Sequence, residues 1–320
     1  MRYRLDDIAA FLAVVDAGSI STAATQLNLS KSVVSKRVAD LERALGVELL
    51  HRSTRGVTPT DEGVAFHARG RSILQQLDEA AEAVSTIDGE LSGSLRISVP
   101  MSFGTLYLGP ILCTFLQRHP RLDAAIDLDD RVVDVQGSGY DLAIRIAELP
   151  DSSLIAKRLA TSRRVVCCSP NYAARAGLPR VIEDIAAHAC IGYANVASSH
   201  VWRFEPAKPG GEIRALTVRC GITTNNGETI RDAAIAGLGL AVLPTFIVTE
   251  ALADGQLIEA LPGVRPTADP IYAVYPRARH RSKKIKALLE HLQSALGGEP
   301  PWERALRVRR AETLVSPVAD

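Results

Sequence analysis

From Ile20 the chain runs through STAATQLNLSKSVVSKRVADLERALGVELL to Leu50, and this stretch constrains the fold more than any other. It predicts two helices joined by a tight turn and followed by a strand. Ser19 or Ser21 can cap the first helix, and adjacent Ala23 and Ala24 leave room for a second helix to approach closely. Asn28 falls in the turn, where its short amide tolerates left-handed backbone angles. Ser30 can then accept from the free N–H groups of the second helix. On that helix Val34, Val38, Leu41 and Leu45 recur at helical spacing and share one face. Ser32, Ser35, Lys36, Ala39 and Arg43 lie off it. The helix therefore has an apolar back and a polar, basic front whose first residues are short or cationic. Such a helix can place its N-terminal end in a DNA major groove, although periodicity alone also fits an ordinary helical hairpin.

A chain of 320 residues can hold two domains and a sizeable core. No apolar run approaches the ~18 residues of a membrane span. MRYRLDD leads straight into an amphipathic helix with no signal-peptide core, so a soluble cytoplasmic protein is expected, with no membrane partner. The formal net charge of +1 decides nothing about nucleic acid; its distribution does. Lys31, Lys36, Arg37, Arg43, Arg52 and Arg55 crowd the proposed reading unit, against Asp40, Glu42 and Glu48. Five cysteines show no CxxC pair and no His at zinc spacing, which predicts buried, reduced thiols and no metal. Cys167 and Cys168 lie in a strand-like run, and Cys113 lies on an apolar helix.

Flanking the pair, Leu5 to Ala17 predicts a first helix with Leu5, Ile8, Leu12 and Val15 as its buried stripe and Gly18 as its stop. VELLHRSTRGVTPT reads as two short strands around a basic turn. Such a wing can lay Arg52 and Arg55 along phosphates or into a minor groove; a solvated hairpin is the plain alternative. Thr60 caps a long helix with Asp61 and Glu62 at its positive end. Leu74, Leu77, Ala81, Val84 and Ile87 continue an apolar seam towards Gly89. A helix of about 28 residues is roughly 42 Å long, too thin to bury that seam alone, so a second copy is its natural cover. After LSGS the pattern becomes strand–helix alternation, which indicates α/β.

Taken in order, these features resemble the LysR-type transcriptional regulators. The resemblance rests on FLAVVDAGSISTAATQLNLS (Phe11–Ser30), KSVVSKRVADLERALGVELLHRSTRGVTPTDEG (Lys31–Gly63), LRISVP (Leu95–Pro100), YDLAIRI (Tyr140–Ile146) and GETIRDAAIAGLGLAVLP (Gly227–Pro244). It covers about the first 295 residues. It implies an α-rich N-terminal winged helix-turn-helix followed by a two-lobed, Rossmann-like α/β effector domain similar to periplasmic binding proteins. The division expected is a DNA-binding domain at 1–60, a dimerising linker helix at 61–90, an effector domain at 91–297 and a C-terminal extension at 298–320. Lobe I takes about 91–162 and 268–297 and lobe II about 163–267, with crossovers near Thr161–Arg163 and Pro266–Asp269. The Pro pair and scattered charges of the extension predict a mobile tail, with a helical turn around Trp302–Val308. The resemblance further implies double-stranded DNA and RNA polymerase as partners, a homodimer or a homotetramer built as a dimer of dimers, and a small-molecule effector in place of a cofactor.

Candidate DNA contacts are Ser21, Thr22, Lys31, Ser32, Ser35, Lys36 and Arg37 in the helix pair, with Arg52 and Arg55 in the wing. Two polar loops precede helices in the second domain, PMSFG (Pro100–Gly104) and TNNGE (Thr224–Glu228), and free N–H groups at helix starts bind acceptor-rich ligands. Ser102 and Asn225 lead the effector candidates, joined by Met101, Phe103, Gly104, Arg145, Tyr193, Trp202, Asn226 and Thr245. They favour a small organic ligand, anionic or aromatic. Plain helix capping by Ser102 and Asn225, and an ion pair for Arg145, remain the structural alternatives. An enzyme is the competing class, yet Ser102 lacks a GxSxG setting, and no HExxH, Walker loop or full GxGxxG occurs. A ligand-independent repressor and a plain binding protein also stay open. No catalytic residue is nominated.

Overall fold

A computed structural model describes residues 3–53, 56–84, 90–131, 133–135, 137–195, 200–206, 208 and 210–315. The chain forms two compact units, residues 1–93 with 134–140, and residues 94–133 with 141–320. In the first unit α1 (Leu5–Ala17), α2 (Ile20–Gln26) and α3 (Lys31–Leu45) lead to the hairpin β1 (Leu50–Ser53) and β2 (Gly56–Pro59), then to α4 (Asp61–Val84). The local chemistry is that expected of the sequence. Ser19 accepts from Thr22 N at 3.4 Å, Ser30 accepts from Val33 N at 3.3 Å, and Thr60 Oγ1 accepts from Gly63 N at 2.9 Å. Asn28 takes the left-handed turn conformation at φ 56°.

The core of this unit joins Ile8, Ala10, Phe11 and Val14 of α1 to Ala23, Ala24, Val34, Val38 and Leu41, closed by Leu49 and Leu50. The buried stripe of α1 differs from expectation: Leu5 is exposed and Val15 half-buried. The reason is that α1 packs against α2, α3 and α4 together, which widens its covered arc to Ala10, Phe11 and Val14. Glu42 ties helix to hairpin by accepting from Leu49 N at 2.9 Å and Leu50 N at 3.1 Å. On the far side Asp16 of α1 accepts from His67 Nε2 at 2.8 Å and pairs with Arg71, both on α4. The described part of α4 has 24 residues, about 36 Å of helix. The predicted continuation to Gly89 lies outside the described residues, as do the side chains of Ala81, Val84 and Ile87 in the seam.

Among the described residues the second unit has two five-stranded sheets and one two-stranded sheet. Its elements are β3 (Ser92–Val99), α5 (Met101–Phe103), a π-helical turn at Gly104–Leu108, α6 (Gly109–Arg118), β4 (Arg121–Leu128), β5 (Leu142–Ile146) and β6 (Ile155–Ser162). There follow β7 (Arg164–Cys168), α7 (Pro170–Ala176), β8 (Cys190–Tyr193), β9 (Val201–Phe204), β10 (Arg214–Thr217), β11 (Cys220–Thr224), α8 (Gly227–Ile235), β12 (Leu240–Pro244), α9 (Thr245–Ala253) and β13 (Ile258–Glu259). The chain ends with β14 (Asp269–Tyr275), α10 (Lys283–Leu296) and α11 (Pro301–Val315). Lobe I is the sheet β4-β3-β5-β14-β6, and lobe II the sheet β11-β8-β12-β7-β13. In each, parallel pairs (β3 with β5; β11 with β8 and β8 with β12) adjoin antiparallel ones. The chain leaves lobe I between β6 and β7 and returns before β14, so two segments cross between lobes.

Two expectations need correction. Over its described length the tail is one helix, residues 301–315, rather than a single helical turn, and Trp302 at its start is fully buried. The thiols are free as expected, but not all are buried. Cys167, Cys168 and Cys190 are, while Cys220 is partly exposed and Cys113 faces outward from α6. Among the described residues, no helix is long and apolar enough to cross a membrane.

Candidate functional site

The front of α3 carries the first candidate surface. Lys31, Ser32 and Lys36 are exposed, Ser35 is half-buried, and Ser32 shares a 2.9 Å hydrogen bond with the capping Ser30. Among the described residues Lys31 and Lys36 have no carboxylate within ion-pair reach, which leaves their ammonium groups directed at solvent. Ser21 and Thr22 are exposed on the first turn of α2. Arg37 stands apart: it pairs with Asp6 of α1 at 3.2 Å and is mostly covered. That pairing braces α3 against α1 and draws the charge back from the front. Val33 was missed in the sequence. It is 38% exposed beside Lys31 and Ser32, where an apolar side chain can meet a thymine methyl. Its position off the Val34–Val38–Leu41 face was the available signal. The backbone of Arg52 pairs with Val57 in the hairpin. Its side chain, and Arg55 altogether, lie outside the described residues.

The second candidate is a cavity of about 290 Å³ between lobes I and II. Lobe I contributes Ser102 and Phe103 from α5, Arg145 and Ile146 from β5, and the loop Asp129–Asp130–Arg131. Lobe II contributes Arg164, Ile191, Tyr193, Trp202, Ile230, Val242, Phe246 and Ile247. The lining combines aromatic and aliphatic side chains with three guanidinium groups and two carboxylates. Arg131 chelates Asp129 with bonds of 2.6–3.1 Å, and these hydrogen bonds hold the Asp129 carboxyl below the usual carboxylate range. Arg164 pairs with Asp269. Asp269 nonetheless titrates above the usual range, because burial outweighs the Arg164 charge. Arg145 donates to Ile144 O at 2.9 Å and approaches Ser98 Oγ at 3.4 Å. Burial pushes the Tyr193 hydroxyl up to about 12, so it stays a neutral donor and acceptor across the ordinary pH range.

Where the two predicted loops meet, the structure adds a residue the sequence reading passed over. Glu228, at the start of α8, accepts from Ser102 Oγ of the opposite lobe and from Asn226 Nδ2 at 2.9 Å. Gly227 makes this approach possible: a Cβ there would stand 2.4 Å from Ile247 Cδ1 and 3.2 Å from Ser102 Oγ. The helix start expected to receive a ligand anion already holds the chain's own carboxylate. Glu228 sat in the quoted TNNGE loop, and its acidic place in a first helical turn was the signal that could have found it.

Several sequence candidates fall outside the cavity lining. Asn225 is exposed and its carbonyl accepts from Asn195. Asn226 is the helix cap, accepting from Thr229 N at 2.8 Å. Met101 is 40% exposed, with its amide bound to Asp130 at 2.8 Å. Gly104 is buried for packing, since a Cβ would lie 2.5 Å from Leu128 Cδ2. Thr245 is buried at the start of α9, where its hydroxyl binds Glu303 at 2.7 Å. Ser102, Phe103, Arg145, Tyr193 and Trp202 do come together around the cavity. Among the described residues no cluster of His, Cys, Asp or Glu could hold a metal ion.

Comparison with known proteins agrees with both halves. Residues 5–64 match the family described as bacterial regulatory helix-turn-helix protein, lysR family, and residues 88–297 match the LysR substrate binding domain. An HTH-type transcriptional regulator of Haemophilus influenzae is 35% identical, over 89% of this chain and 98% of that protein. PtxR, an HTH-type transcriptional regulator of Pseudomonas aeruginosa, is 35% identical, over 92% of this chain and 94% of its own length. Among solved structures, CrgA of Neisseria meningitidis, a LysR-type transcriptional regulator, superposes with a TM-score of 0.54 at 29% identity, covering 95% of this chain and 98% of that one. Full-length AphB of Vibrio cholerae shares the fold with a TM-score of 0.60 at 24% identity, covering 91% of this chain and 99% of its own.

Proposed function

Because the chain belongs to the LysR family of transcriptional regulators, we propose that it reads a promoter through α3 and is switched by a small organic anion held between lobes I and II. The supporting observation for the ligand is the cavity. Its lining carries Arg131, Arg145 and Arg164 beside Asp129 and Asp130, together with Phe103, Trp202, Ile230 and Phe246. A carboxylate would sit against Arg145 and Arg164, and an apolar or aromatic body against the rings. About 290 Å³ is at the small end of ligand pockets, which fits one ring with a short substituent. Glu228 at the helix start directs the anion away from α8 and towards the arginines.

In this reading Lys31, Ser32, Ser35 and Lys36 face base edges, and Arg52 and Arg55 of the wing follow phosphates. Residues 1–60 are the reading head, 61–90 the dimerising linker, and 91–297 the sensor. The protein acts in the cytoplasm as a dimer or a dimer of dimers, with RNA polymerase as its downstream partner. A ligand that binds one lobe arrangement better shifts the population of arrangements and thereby the spacing of the heads on DNA.

The test is thermal stabilisation of the full chain by a panel of aromatic and aliphatic monocarboxylates, amines and sugars, with Arg145→Gln alongside. A carboxylate at a hundredfold its Kd should add about 2.7 kcal/mol to wild type and little to the variant. Stabilisation by amines and not by carboxylates would refute the ligand class. Loss of sequence preference on Lys36→Ala, with the binding to random duplex nearly retained, would support the base-reading role.

A further inference from the structure

We infer that α11 is a strap joining lobes I and II at the cavity, and that Trp302 is a specificity-determining residue which sets how wide a ligand the cavity accepts. The specificity half rests on the proposed effector reading; the strap does not. Residue 302 lies beyond the 88–297 span that matches the substrate binding domain, so this element is outside the module that carries the cavity walls.

Trp302 is fully buried, and its indole meets three rings edge to face. The centroids lie 5.6 Å from Phe103, 5.0 Å from Tyr107 and 5.9 Å from Phe246. Phe103 belongs to lobe I and Phe246 to lobe II; both line the cavity and touch each other at 5.3 Å. Trp302 stands behind this pair, in contact with both. Edge-to-face clusters resist compression because protein interiors are already close-packed. A ligand broad enough to push Phe103 and Phe246 apart must also displace an indole with nowhere to go.

The first turn of α11 is pinned where the chain crosses between lobes. Glu303 accepts from Thr245 Oγ1 at 2.7 Å and lies 3.8 Å from Arg163, which sits between β6 and β7. Thr249 Oγ1 reaches Trp302 O at 3.5 Å. Further along, Arg309 approaches Asp254 at 3.5 Å. These polar contacts hold α11 to lobe II, and the Trp302 ring carries the hold across to Phe103 and Tyr107 of lobe I. Among the described residues the buried indole Nε1 has no hydrogen-bond partner, so a phenyl ring can replace the indole at 302 without stranding a further polar group.

Hydrogen exchange on the full chain, on Trp302→Phe, on Trp302→Ala and on a chain ending at Gly298 tests the strap with no ligand present. The expected result is exchange faster by about tenfold or more in both 101–108 and 245–253 for the alanine variant and the shortened chain, largely restored in Trp302→Phe. Acceleration confined to 245–253 would show that α11 only covers lobe II, and acceleration in neither would show that it holds nothing; either overturns the strap. Thermal-shift titrations with benzoate and 2-naphthoate address selectivity. Trp302→Ala should raise affinity for naphthoate relative to benzoate by about tenfold, the effect of admitting a second ring. An unchanged ratio overturns the specificity role. If neither probe binds any variant, the ligand class proposed above fails and the specificity role falls with it, while exchange still decides the strap.

Discussion

Replacing Glu228 by alanine should loosen the two lobes from each other and at the same time create an anion site. In the native chain its carboxylate takes the Ser102 hydroxyl from the opposite lobe and the Asn226 amide beside it. Ser102 is only 6% exposed, so removing its acceptor strands a hydroxyl at a cost of about 1–3 kcal/mol. Loss of an acid from the first turn of α8 adds about 0.3–1 kcal/mol through the helix dipole. The Asn226 amide is half-buried and can recover water, so it contributes little, and Asn226 Oδ1 still caps Thr229 N. A net loss of roughly 1–4 kcal/mol corresponds to about 3–16 °C in Tm for a unit of this size. Differential scanning fluorimetry of the full chain measures it. With the internal carboxylate gone, the N–H groups of α8 and the Ser102 hydroxyl face an empty position, so sulfate should stabilise the variant more than the native protein. A Tm within about 1 °C of native, with no new response to sulfate, would refute the reasoning, since a bond spanning the lobes cannot be lost without either effect.

Four other outcomes follow. Leu77 is 48% exposed on α4 near Ile73, and Leu77→Glu should abolish dimers in sedimentation, because a charge in a helix seam has no partner across it. Arg279 pairs with Asp141 at 2.9 Å with both side chains nearly inaccessible, so Arg279→Met should destabilise by about 3–5 kcal/mol in denaturant titrations, with Asp141→Asn in the same chain recovering part. Cys113 is exposed, whereas burial holds Cys168 up at about 11 and Cys190 at about 12 and raises Cys167 and the partly exposed Cys220 as well. One fast thiol should therefore react with a maleimide at neutral pH and disappear in Cys113→Ser. Burial raises the Asp16 carboxyl, but the His67 hydrogen bond and the Arg71 charge outweigh it and leave it below the ordinary value. Its contribution is complete above the unfolded carboxylate pKa and is lost as pH falls through the lower folded one. Asp16→Asn should flatten that acid limb in circular dichroism, by less than about 1 kcal/mol because solvent screens a carboxylate 42% exposed.

The sequence located what depends on near neighbours. The bounds of α1, the Ser30 cap, the left-handed Asn28 and the apolar back of α3 each follow from residues within one or two turns, and all stand in the structure. The strand–helix alternation likewise marked the second part of the chain as α/β, while its division into two lobes came from the family resemblance. Ser102, Phe103, Arg145, Tyr193 and Trp202 were legible as cavity candidates because polar and aromatic residues near helix starts and strand ends converge in such folds. Asn225 and Thr245 were not separable from them, since spacing does not tell which side of a helix start faces a partner lobe.

What tertiary structure alone decided are the encounters between distant residues. Ser102 and Glu228 are 126 positions apart, and no local period records that one donates to the other. Arg37 reads as part of a basic front until Asp6, thirty-one residues earlier, is found beside it. The final segment looks like a charged, proline-marked tail because its polarity is averaged along the chain. Its place in the fold is set by long-range encounters: Trp302 packs among Phe103, Tyr107 and Phe246, Leu306 is buried, and Glu303 and Arg309 meet Thr245 and Asp254. Periodicity and capping act over a few residues and so are written in the sequence, whereas burial and pairing depend on which surfaces the completed fold brings together.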